Sequence, residues 1–432
     1  MRFVSTRGKA PAVGIDTALV AGLAPDGGLY VPESMPTLDL TTPRATLAAT
    51  AQAVLAPWFV GSRIESKLGE LCAHAFSFDA PLRPLPRAGD HLLELFHGPT
   101  AAFKDYAARF LAGALGALRD PAAPDTTILV ATSGDTGAAV ASAFHRQPGF
   151  SIVILYPEGR VSPRQAHGLE CWGDNVRAFR VDGSFDDCQR LAKQALSDPD
   201  LRARVALGTA NSISLGRLLP QAAYYAHSAA QHFTATGNLL HVIVPTGNLG
   251  NASAAFVARA MGAPLGDIRL ACNANDTLPR FFGGADYHAQ PTRATLANAM
   301  DVGAPSNFER LRHWHADDTA LRAAFFAESV DDATIRATIA AAPACHGIVA
   351  CPHTATGLHL LASLRAAGDT RNWAVVATAH PAKFDTIVEP LIGAPVAVPP
   401  ALADCLARPA QGAPLDNDRA ALARVLLGEA SG

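Results

Sequence analysis

No run of this sequence is apolar for long enough to cross a bilayer, so no membrane-spanning helix is expected. Charge of one sign is equally scarce. Lys and Arg number 35 against 38 Asp and Glu, giving a formal net charge of -3, and no basic run occurs. That leaves no electrostatic footprint for nucleic acid. Residues 1–9 carry charge with no apolar run behind them, so no signal peptide is expected. The seven cysteines are odd in number and include no Cys-x-x-Cys, which indicates neither a disulfide framework nor a zinc ribbon. Cys345-His346 and Cys351-Pro352-His353 offer soft ligands at a spacing that fits no standard zinc site. They read better as buried cysteines and a helix-start histidine. No metal is expected, and a reducing, cytoplasmic setting is.

What remains is an ordinary globular composition, 49% hydrophobic and 17% charged. At 432 residues the chain exceeds what one core usually supports, so two or three domains are expected. Helical spacing of apolar residues predicts helices over 45–60 and 62–76, and Pro81, Pro84 and Pro86 then mark a linker. From residue 92 short strands alternate with helices, the pattern of a parallel sheet covered on both faces. Strands are predicted at 92–95, 127–131, 152–156, 176–181, 241–244, 268–272 and 374–377. Helices are predicted at 137–146, 163–172, 186–197, 215–232 and 251–261. The layout expected is a mostly helical cap over 1–90 and a large α/β unit from 91–125 with 205–395. A smaller α/β unit over 126–204 and a tail from 396 complete it.

Ligands in such folds bind at the carboxyl ends of the strands, so loop contents decide the chemistry. In His97-Gly98-Pro99-Thr100-Ala101-Ala102-Phe103-Lys104-Asp105 a lysine opens an apolar helical pattern. A cation there faces the positive end of the helix dipole among apolar neighbours and should lose proton affinity, which suits a nucleophilic or basic amine. Taken singly, a solvated surface lysine is the commoner case. Thr132-Ser133-Gly134-Asp135-Thr136-Gly137 places hydroxyls and backbone donors at a helix start, fit for an anion, although capping alone explains them. Thr246-Gly247-Asn248-Leu249-Gly250-Asn251 is a glycine loop leading into a helix. It is neither the dinucleotide fingerprint nor a Walker loop, for the second glycine and the Gly-Lys-Ser/Thr are missing. Asn211-Ser212-Ile213-Ser214 leads to Arg217, a fork for phosphate or carboxylate. Thr378 ends a buried strand. Together these are an amine, a phosphate cradle, an anion loop and a strand-end hydroxyl, the kit for pyridoxal phosphate.

Here the sequence resembles the threonine synthase family. The resemblance rests on His97-Gly98-Pro99-Thr100-x-x-Phe103-Lys104-Asp105, on Ala131 to Ala139 and on Thr378 to Phe384. Asn275 to Phe281, Ala299 to Val302 and Pro305 to Arg310 carry it further, and it runs from Ser5-Thr6-Arg7-Gly8 to about residue 395. It implies a fold type II pyridoxal-phosphate lyase that converts O-phospho-L-homoserine and water to L-threonine and phosphate, acting as a monomer or homodimer. Lys104 would be the Schiff-base lysine. Gly247, Asn248, Leu249, Gly250 and Asn251 would hold the cofactor phosphate, with Thr378 at the pyridine nitrogen and Asp135 near the ring hydroxyl. Ser133, Thr136, Asn211 and Ser212 would line the substrate site, with Arg217 and Arg7 for the substrate phosphate. Leu249 stands where a phenylalanine is common, and Cys351 where an acidic residue is expected. Another fold type II lyase, or a non-catalytic protein on the same scaffold, is the alternative.

Overall fold

The computed structural model describes residues 1–429. A six-stranded sheet lies at its centre, in the order Phe325–Ser329, Leu265–Cys272, Leu240–Pro245, Trp373–Ala377, Asp90–Glu94 and Leu82–Pro84. Neighbouring strands run parallel except at the last pair, where Leu82–Pro84 forms an antiparallel edge. An edge is where Pro84 costs no ladder hydrogen bond. Val242, Ile243, Val244, Val375 and Val376 are wholly buried. Both faces are covered, which is why the sequence shows unbroken apolar runs there instead of alternation.

A second sheet, parallel throughout, has the order Ala413–Leu415, Val176–Val181, Phe150–Pro157, Thr126–Ala131 and Ala206–Gly208. Its presence corrects the expected layout twice. Ala206–Gly208 belongs to this smaller unit, which therefore runs past residue 204. The tail also contributes: Ala413–Leu415 is its outer strand, and the helix Arg419–Leu427 packs on Phe185–Ser197 through a core containing Leu191, Leu422 and Leu426.

The predicted strands all form, and the helices expected near the N-terminus appear as Leu47–Phe59 and Leu68–Ala75. Those two helices pack on Ala222–Thr236 and Lys104–Leu118. Trp58, Phe59, Phe110, Tyr224 and Val242 share one core cluster. The first 90 residues are thus a layer of the large unit. The helix expected over 215–232 is split into Leu215–Leu218 and Ala222–Thr236 by a tight turn at Leu219–Gln221. Pro220 has no N–H to continue the ladder. No helix among the described residues is long and apolar enough to cross a membrane.

Parallel strands joined by crossovers send their exits to one end of the sheet. The loops after Asp90–Glu94, Thr126–Ala131, Leu240–Pro245 and Trp373–Ala377 accordingly meet between the two sheets.

Candidate active site

Lys104 is the first residue of the helix Lys104–Leu118. The turn before it is fixed by Asp105, which accepts the backbone N–H of Thr100 at 2.8 Å and its hydroxyl at 2.6 Å. A side chain at Gly98 would put its Cβ 2.5 Å from Asp105 Oδ2, so glycine is required there. The backbone N–H of Phe103 donates to Thr378 O at 2.9 Å, which ties the lysine turn to the end of the strand Trp373–Ala377. The Lys104 ammonium lies 4.6 Å from the centre of the Phe103 ring and 3.7 Å from Asp135 Oδ2. Burial lowers its pKa to about 8. Asp135 opposes that shift, whereas Lys383 and Arg217 reinforce it. The direction matches the sequence reading. Loss of water is the principal cause, rather than the helix dipole alone.

The next loop is held by Thr132, whose hydroxyl accepts the N–H groups of Gly134 and Gly137, each at 3.0 Å. Gly134 sits at φ 131, a conformation closed to other residues, and its Cβ would meet Gln165 at 2.7 Å. Asp135 follows at the start of Asp135–Phe144 and is buried. Burial pushes its carboxyl up, but the charges of Lys383 and Lys104 outweigh this and hold it well below the usual range.

The glycine loop joins Leu240–Pro245 to the helix Gly250–Ala260. Leu249 takes φ 61, left-handed for a non-glycine residue, and its side chain is buried in the core. Strain of about 1–3 kcal/mol persists only where neighbours over-determine the loop. Those neighbours come from 299–310. Asn307 Nδ2 donates to Asn248 O at 2.9 Å, and Ser306 N to Asn248 Oδ1 at 2.5 Å. Arg310, fully buried, donates to Ile213 O and Asn307 Oδ1, each at 2.5 Å. The stretch therefore clamps both the glycine loop and the 211–214 loop. A Cβ on Gly247 would lie 2.7 Å from Met300 Cα and 2.9 Å from Met300 O. Backbone cannot step aside cheaply. Gly247→Ala is expected to weaken pyridoxal-phosphate binding about 10- to 100-fold with the fold retained, as an absorbance titration would show.

These loops enclose a cavity of about 770 Å³. Lys104, Ser133, Asp135, Thr136, Asn211, Ser212, Arg217, Gly247, Asn248, Leu249, Gly250, Asn251 and Thr378 all line it. Arg7 does not. Its guanidinium is half-exposed and pairs with Glu309 at 3.2 Å, and it also donates to Asp26 O. Its half-buried partner Glu309 lies 302 positions along the chain, and in this arrangement Arg7 stands outside the cavity rather than in it as the resemblance implies. Arg217 is the opposite case. It is buried, Nη1 donates to Ala210 O at 2.7 Å, and Nε has no partner among the described residues.

Sequence reasoning gave no site role to other groups in or beside the cavity. His353 is buried and accepts the N–H of Ala299 on Nε2 at 3.1 Å. Burial lowers its pKa to about 4, so it is neutral. Cys351 Sγ accepts Thr354 N at 3.4 Å and caps the helix Pro352–Ala366, a task an acidic residue would also perform. Asp301 is buried beside the cavity, held by Asn273 and Thr295, and burial raises its pKa to about 7. The motif Ala299 to Val302 contained the only signal for it.

The donors fit a phosphate-bearing cofactor. Asn251 Nδ2 is buried with no partner among the described residues, at the start of Gly250–Ala260, where backbone N–H groups also point outward. Lys104 supplies an amine for an aldehyde and Thr378 a hydroxyl in the same cavity.

Comparison with known proteins gives the same answer. Residues 2–76 match the family described as threonine synthase N terminus, 77–382 the pyridoxal-phosphate dependent enzymes, and 354–426 the threonine synthase C-terminal family. Threonine synthase of Haemophilus influenzae is 37% identical over 418 residues, covering 95% of this chain and 96% of the relative. The crystal structure of threonine synthase from Escherichia coli superposes with a TM-score of 0.91 at 34% identity, covering all of both chains. The pyridoxal-phosphate-bound threonine synthase from Brucella melitensis does so with a TM-score of 0.89 at 33% identity, again over the whole of both chains. The chain belongs to the threonine synthase family, pyridoxal-phosphate-dependent lyases of fold type II.

Proposed function

We propose that the substrate is O-phospho-L-homoserine, converted with water to L-threonine and phosphate, with Lys104 as the reactive amine. The observation that carries this reading is the partly unpaired Arg217 guanidinium in the cavity that Lys104 lines. An amine and a phosphate-sized cationic fork in one enclosed space suit a phosphorylated amino acid.

When bound, pyridoxal phosphate supplies an electron sink that lets protons leave the α and β carbons. The chain's residues do the rest. Gly247, Asn248, Leu249, Gly250 and Asn251 would hold the cofactor phosphate. Thr378 would stand at the ring nitrogen, where a neutral hydroxyl does not force protonation, with Asp135 near the ring hydroxyl. The Lys104 amine would take the proton from the α carbon and then one from the β carbon, and would deliver protons to the γ carbon after phosphate has left and finally to the α carbon. Ser133 and Thr136, with Asn211 and Ser212, would orient the substrate. Arg217 would stabilise the charge growing on the departing phosphate. Water then adds at the β carbon. We place this reaction in a reducing cytoplasm, on the unpaired cysteine pattern of the sequence.

The test is product analysis of the loaded protein with phosphohomoserine. Equal amounts of phosphate and threonine are expected. Ammonia with a keto acid in place of threonine, phosphate still being released, would make the protein a dehydratase-type lyase and overturn the reaction assignment, and no phosphate release would overturn the substrate assignment.

A further inference from the structure

Asp135 faces two lysines, of which the reaction accounts for one. The second, Lys383, sits on the turn Pro381–Phe384 just after the strand Trp373–Ala377 and is 2% exposed. Its ammonium donates to Asp135 Oδ1 at 2.7 Å and to Thr100 O at 2.8 Å. Gln165 Nε2 reaches the same Oδ1 at 3.1 Å. The other oxygen, Oδ2, faces Lys104 at 3.7 Å. The carboxylate is therefore divided, one oxygen held from behind and one left for the cavity. Lys383 does not line that cavity. Its turn is pinned in turn: the Ser162 hydroxyl donates to Lys383 O at 2.6 Å, and Arg164 Nη1 donates to Ala382 O at 2.7 Å.

A buried carboxylate beside a single lysine would be stranded whenever that lysine lost its charge, and an unpaired buried anion either protonates or destabilises the fold. A reaction that uses Lys104 as nucleophile and base makes it lose its charge in every cycle. We propose that Lys383 is a positioning residue, a permanent counter-ion that keeps Asp135 ionised and its Oδ2 turned to the cavity while Lys104 gains and loses its own charge. This rests on the reading of Lys104 given under the proposed function. The other groups that bear on the pair do not replace Lys383. Asp105 is occupied by Thr100, the Arg217 charge bears on Lys104 and makes no ion pair with Asp135, and His353 is neutral. Cys405, beside Lys383 behind the pair, faces Cys171 at 3.0 Å.

The test is a double-mutant cycle with two readouts. One is kcat. The other is the pH midpoint for labelling of the Lys104 amine in cofactor-free protein, mapped by mass. Lys383→Met is expected to lower kcat at least about tenfold with KM changed less than about threefold. The Lys104 midpoint should rise by about one unit, as Asp135 turns wholly to Lys104 and a like charge is lost. The double variant Asp135→Asn/Lys383→Met is expected to turn over no more slowly than Asp135→Asn alone, because Lys383 acts through Asp135. That comparison holds even where Lys383→Met alone fails to fold. A double variant slower than Asp135→Asn by a further tenfold, or a Lys383→Met protein with wild-type kcat and midpoint, would overturn the proposal. In either case phosphate and threonine release by the unaltered protein would leave the substrate assignment standing. A failure of that release would not touch the labelling midpoints.

Discussion

Lys104→Ala is expected to turn over no measurable substrate, a fall of at least about 10⁴-fold, because nucleophile and base are lost in one substitution. The fold should survive. The side chain reaches into the cavity rather than the core, and alanine is the best helix former for the first position of Lys104–Leu118. Borohydride treatment in the presence of pyridoxal phosphate should mark Lys104 in the unaltered protein and leave the variant unmarked. The pH behaviour is equally specific. Burial lowers the amine to about 8, so the neutral, reactive form predominates from about pH 8 upward instead of only above the ordinary lysine value. Capture of pyridoxal phosphate by cofactor-free protein should speed up about tenfold per pH unit and level off near pH 8. A rate still climbing at pH 10 would mean an ordinary solvated lysine. Near wild-type turnover in Lys104→Ala would sink the assignment outright.

The second large effect belongs to Arg217. Arg217→Met, which keeps roughly the volume, is expected to lower kcat/KM about 10²- to 10³-fold, the usual consequence of removing one donor from developing negative charge. Burial lowers this guanidinium to about 10, with Asp105 opposing, so it remains charged at neutral pH. One edge is anchored on Ala210 O and Nε is unpartnered, which presents the group with its orientation already fixed. Arg217→Lys should rescue little, since a point charge does not replace a planar fork. Inhibition by inorganic phosphate should weaken along with kcat/KM in Arg217→Met. Arg7→Met serves as the comparison, its exposed pair with Glu309 being worth little. A loss of less than about threefold in Arg217→Met would move the substrate phosphate elsewhere in the cavity.

Much of this site is legible in the sequence because its residues sit where strand patterns end. Apolar runs such as 241–244 and 374–377 locate the buried strands, and their exits locate the loops. Lys104 stands out because a cation opens an apolar helix. The residues that escaped notice are those whose role depends on distant neighbours. Lys383 follows a strand like many surface lysines, and only the fold brings it to Asp135, 248 positions earlier. His353 reads in sequence only as a helix-start histidine; the helix Pro352–Ala366 is buried on nearly every side and shows no polar stripe to mark the residue as one that lines the cavity. The strands Ala206–Gly208 and Ala413–Leu415 are three residues each, too short for any period to appear. The pairing of Arg7 with Glu309 is likewise made only through the fold, 302 positions apart.

The outer strand at Ala413–Leu415 also sets an order of events during synthesis. Its neighbour Val176–Val181 leaves the ribosome more than 200 residues sooner and presents an unpaired edge until residue 415 has emerged. An open parallel edge can recruit another nascent copy, so the interval is one of exposure to misassembly. The Ser133 to Thr136 loop hangs from this same sheet. The sheet that carries this loop is therefore completed only after residue 415 has been made, long after the Lys104 helix.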